Sequence, residues 1–92
     1  MKRIERRLFR IGDEIGALER AVALAREELV YHEHLNDDTQ RDAAVSGSSI
    51  DRADARETSG DVARFRRHIE HLEERKEKLV ATRERLLKKL RS

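Results

Sequence analysis

Apolar residues return along this chain at alternating spacings of four and three, and they do so in two separate stretches. The first series is Ile4, Leu8, Ile11, Ile15, Leu18, Val22, Ala25 and Leu29. The second is Val62, Phe65, Ile69, Leu72, Lys76, Leu79, Arg83, Leu86 and Leu90, the same rhythm with two basic residues in it. A seven-residue repeat with two apolar positions draws one stripe down a helix, and such a stripe needs a second helix to cover it. Both segments are rich in Glu, Arg, Lys, Leu and Ala, which favour the helix. The pattern predicts an all-α fold: a long antiparallel two-helix hairpin, a coiled coil made by one chain folding back on itself.

Composition agrees with so thin an object. Of 92 residues 43% are charged and 3% aromatic, too little apolar material to surround a deep core. A hairpin needs only its stripe, so one domain over residues 1–92 is expected. The absence of cysteine removes disulfides and thiolate zinc sites. The opening MKRIERRLFRIG is basic but lacks the apolar run of a secretory signal. No stretch approaches the ~20 apolar residues that span a bilayer. A cytoplasmic protein is the expectation.

The first helix is expected over about 2–44, a turn over about 45–49 built on Ser46-Gly47-Ser48, and the second helix over about 50–91. Ser49 is the expected cap, with Asp51 in the first turn where the helix dipole favours acid. Thr58 or Ser59 offers a competing start, and Ser59-Gly60 marks a possible break near 58–61. Folding back at the turn places opposite each other residues whose numbers add to roughly 96, so Lys76 and Arg83 come level with Glu19 and Glu14. Those two bases either pair across the seam or extend their stems to solvent.

Gly12, Gly16, Ala17, Ala21, Leu24, Val80 and Leu87 lie beside the seam rather than on it. A single hairpin covers one stripe, so this second set predicts a packing face for another copy: a homodimer, arranged as a four-helix bundle.

Charge is uneven. Residues 1–35 hold seven acids and seven bases, residues 36–61 carry a net −4, and residues 62–92 carry a net +6. The bases of the last segment are interleaved with Glu70, Glu73, Glu74, Glu77 and Glu84 at intrahelical pairing distance, and there are few aromatics to stack on bases. This interleaving argues against direct nucleic-acid binding. His32, His68 and His71 are candidate metal ligands, but "HEH" and "HIEH" match no zinc spacing, and no metal or cofactor is expected. There is no catalytic triad, no phosphate loop and no concave dry pocket in a hairpin, so no enzyme is expected.

The stretch "SSIDRADAR" carries two aspartates three apart, Asp51 and Asp54, with Glu57 just beyond. A helical hairpin with aspartates at its tip resembles the Gre-type and DksA/TraR-type factors that enter the secondary channel of bacterial RNA polymerase. The DksA/TraR pattern is Asp-x-x-Asp-x-Ala; "DRADAR" matches both aspartates but has Arg56 where the alanine would stand. "SGDVARFRR" is also similar to the second-helix start of some actinobacterial members, with Gly60 five residues before Phe65. The family's cysteine zinc finger has no counterpart in a chain without cysteine. The resemblance implies a protein-binding tip at Asp51, Asp54 and Glu57 and RNA polymerase as the partner. The residues alone equally allow a structural homodimeric adaptor, with the aspartates serving only as helix caps.

Overall fold

The computed structural model describes residues 2–92 and contains two elements, α1 (Arg3–Ser46) and α2 (Ser49–Arg91). They form an all-α helical hairpin. Among the described residues there is no strand, and no helix is long and apolar enough to cross a membrane.

Contacts divide the chain into two compact units. Unit 1 joins residues 1–23 to residues 70–92. Its core is the cluster of Ile11, Ile15 and Leu86, with Ile4, Leu8, Leu79 and Val80 packed against it. Leu18 and Val22 are buried on the same stripe of α1. Full burial of one such side chain contributes about 1.5–3 kcal/mol, so this short list dominates the unit's stability. Leu90 sits on the stripe by count yet is exposed. Lys76 and Arg83 are half-buried and neither makes an ion pair among the described residues. Of the two alternatives, the bridges to Glu19 and Glu14 are absent among the described residues. Long stems with their charged heads in water account for both bases.

Unit 2 runs from Leu24 to Ile69 and contains the turn. Ala25, Ala55, Val62 and Ile69 are its buried residues. The seam does not stop at Leu29. Counting on by threes and fours gives His32, Asn36, Thr39 and Ala43, and counting back from Val62 gives Thr58, Ala55 and Asp51. All seven are buried or half-buried, while most of their neighbours are exposed.

Two local expectations need correction. The helix start is capped by Ser48, not Ser49: Ser48 Oγ accepts from Asp51 N–H at 3.1 Å, and Ser48 C=O accepts from Arg52 N–H at 3.1 Å. The break near 58–61 does not occur, and α2 is helical throughout. Thr58 and Ser59 do not leave the helix, because their hydroxyls are engaged by side chains of α1.

Candidate functional site

The turn is two residues long, and glycine makes it possible. Gly47 has φ +63°, the left-handed region that closes a helix, and its N–H donates to Ala43 C=O at 2.9 Å. Ser46 Oγ accepts from Ser48 N–H at 3.2 Å and donates to the Asp51 carboxylate, while the Arg52 guanidinium donates to Gly47 C=O. Asp51 is thus part of the turn itself.

Behind the turn, side-chain hydrogen bonds join the two helices around the buried Ala55. Asn36 Oδ1 accepts from Thr58 and Ser59 hydroxyls, both at 3.0 Å, and from Gln40 Nε2 at 3.1 Å. The Thr39 and Thr58 hydroxyls lie 2.7 Å apart. Gln40 also donates to Ala55 C=O at 3.1 Å and to Ser59 Oγ at 3.0 Å. Further from the turn, Arg66 pairs with Glu33 at 3.0 Å, and the His32 ring stacks on Phe65 with centroids 4.6 Å apart.

These bonds fix which way the rest of the tip faces. Gln40 and Ser59 meet on one flank, and Arg52 and Arg56 join them in a shallow groove there. At 100° per residue, Asp42 lies about 200° round α1 from Gln40. Asp54 lies about 140° from Ser59 round α2, and Ile50 and Glu57 lie further round still. The carboxylates of Asp42, Asp54 and Glu57 therefore gather on the other flank. All three are exposed, and among the described residues none has an ion-pair partner. Asp38 and Asp61 do have partners, Arg41 and Arg64. Val45 and Ile50 bracket the turn at 89% and 74% exposure.

Of the three tip residues expected from the sequence, Asp54 and Glu57 stand free in solvent and Asp51 is half-buried and hydrogen-bonded. Asp42, Val45 and Ile50 were not expected at the site. Exposed apolar residues flanking a glycine turn were legible, but the placing of Asp42 on the same flank as Asp54 needs the register of the helices.

Among the described residues no three His, Cys, Asp or Glu side chains are grouped to hold a metal ion. His32 is turned onto Phe65, and His68 and His71 are exposed. Of the expected packing face, Val80 is taken up within the hairpin, packed against the unit 1 cluster, and Leu87 is half-buried. By helical geometry Gly12 and Gly16 lie on one side of the α1 seam, and Ala17, Ala21 and Leu24 lie about 80–180° away from them on the other. No known protein family, curated protein or solved structure matches the chain.

Proposed function

We propose that this chain is a non-enzymatic protein-interaction module that presents one flank of its hairpin tip to a protein partner. The observation that carries the reading is the flank of Asp42, Asp54 and Glu57, carboxylates without ion-pair partners, beside the exposed Val45 and Ile50. Apolar side chains that exposed, next to uncompensated charge, contribute nothing to the hairpin's own stability and suit a partner offering an apolar spot ringed by bases. RNA polymerase is the candidate partner, on the likeness of "DRADAR" to the tip of secondary-channel factors. Asp54 is the working carboxylate in this reading, and Asp51 shapes the turn that presents it. Hydrated magnesium takes hard oxygen ligands, often through water, so a free carboxylate on a helix suits the approach to a metal-containing active centre.

The test is capture of core RNA polymerase by the intact chain, followed by transcription assays with Asp54→Asn and Glu57→Gln. The expected result is retained capture with loss of the effect on transcription. Failure of the unaltered chain to bind polymerase removes that partner. Retained binding of every other protein partner by Asp42→Asn/Asp54→Asn/Glu57→Gln removes the tip as the interface.

A second reading, a structural homodimer, is favoured by Leu24 and Tyr31. They are seven residues apart on one line of α1, and both are exposed. Equilibrium sedimentation at twice the 10.8 kDa chain mass would support it, and a monomer would refute it.

A further inference from the structure

Closing the hairpin gives unit 1 a charge that neither half shows alone. Lys2, Arg3, Arg6, Arg7 and Arg10 open the chain against a single acid, Glu5. Arg83, Arg85, Lys88, Lys89 and Arg91 close it against Glu84. Together these residues carry a net +8. Nine of the ten bases are exposed, and among the described residues none is in an ion pair. The neutral total over residues 1–35 hides the first five, because the balancing acids come later along the helix. The glutamates interleaved through residues 70–84 do not extend to residues 85–91.

Helix stability accounts for only half of this cluster. Bases in the last turn of α2 complement the negative end of its dipole. Those in the first turns of α1 face the positive end and are disfavoured there. Arg3 with Arg7, and Arg6 with Arg10, are like charges at i,i+4, which repel. The α1 bases therefore oppose the local fold, as a surface kept for an anionic partner would.

The geometry gives that surface a shape. Arg7 of α1 and Arg85 and Lys89 of α2 line one groove with Thr82, and Arg85 donates to Thr82 Oγ1 at 3.0 Å. Arg3, Arg7 and Arg10 line a second groove, so Arg7 borders both. Seven of the ten bases are arginine, whose planar fork matches phosphate oxygens. Phe9, at 76% exposure, lies outside both grooves, about 60° round α1 from Arg6 and about 160° from Arg7. A membrane surface fits less well: an interfacial helix needs an apolar face, and Ile4 and Leu8 are turned into the unit 1 core. An acidic peptide would match the charge but leave the exposed aromatic unused.

We propose that this end of unit 1 binds single-stranded nucleic acid without reading its sequence. Arg7, Arg85 and Lys89 seat backbone phosphates, and Phe9, beyond Arg6 on the far side of α1, offers a stacking face to an unpaired base further along the strand. The surface is separate from the tip, and its test is independent of any tip partner.

The experiment is fluorescence anisotropy of a labelled oligodeoxythymidine titrated with the intact chain over a series of salt concentrations. About four neutralised phosphates weaken single-strand binding roughly fiftyfold between 50 and 200 mM salt. Arg7→Glu/Arg85→Glu is expected to lose at least about tenfold in affinity with its far-ultraviolet dichroism intact, since the change relieves repulsion. Arg7→Gln/Arg85→Gln repeats the test with a smaller charge change, Phe9→Leu is expected to weaken binding severalfold, and Asp54→Asn to leave it unchanged. No binding at low salt, binding by both double variants as tight as that of the unaltered chain, or tighter binding to polyglutamate or anionic phospholipid vesicles would overturn the proposal.

Discussion

The same seven-residue count runs through both units, yet they fill it differently. In unit 1 the seam is Ile11, Ile15, Leu18, Val22 and Leu86, closed by apolar contact. In the tip half of unit 2 it is Asn36, Thr39, Ala55 and Thr58, closed largely by hydrogen bonds. Apolar contact supplies free energy but little direction, because a leucine packs acceptably in several registers. A hydrogen bond contributes only about 0.5–1.5 kcal/mol net, but it is costly to leave unmade, so it selects one register. The difference teaches a division of labour. Unit 1 holds the hairpin together, and the polar seam of unit 2 decides which side chains the tip turns outward.

That comparison can be broken most forcefully in unit 1. Leu86→Ala, and Leu18→Ala beside it, should each cost about 2–5 kcal/mol in urea unfolding, since each empties a buried site. Leu72 is only half-buried, so Leu72→Ala should cost less than either. In the tip, Asn36→Ala removes an acceptor for three donors, and a cost of about 1–3 kcal/mol is expected. Replacing Thr39 and Thr58 together by valine should cost less than Asn36→Ala in the same unfolding measurement, because both partners of the 2.7 Å contact go at once and Asn36 Oδ1 keeps Gln40 and Ser59 as donors.

At the turn, Gly47→Ala places a side chain at φ +63°, and a loss of about 1–2 kcal/mol in chemical denaturation is expected. The smallest effect belongs to Lys76→Leu, which should raise the melting temperature slightly by removing a half-buried ammonium from an apolar stripe. A fall would show that Lys76 has a partner that matters.

Much of the fold could be read from the spacing of Ile4 to Leu29 and Val62 to Leu90, and the register follows too. Partners across the hairpin, such as Thr39 with Thr58 and His32 with Phe65, have numbers adding to 97, beside the roughly 96 expected. The stretch from Asn36 to Thr58 was hidden because a search for apolar periodicity passes over polar residues at the same positions. The site was half legible. Asp54 and Glu57 could be marked from the sequence. The engagement of Asp51 depends on which serine caps α2, and that Asp42 shares a flank with Asp54 follows only once the helices are paired.

Residue-resolved amide hydrogen exchange on the free chain tests the central contrast most directly. Opening free energies follow buried apolar contact, so amides of α1 and α2 around Ile11, Ile15, Leu18 and Leu86 should be the slowest to exchange. Those between Asn36 and Ser59 should exchange faster, while still protected well beyond an unfolded chain. Equal protection in both regions, or greater protection around Asn36 and Thr58, would contradict the account.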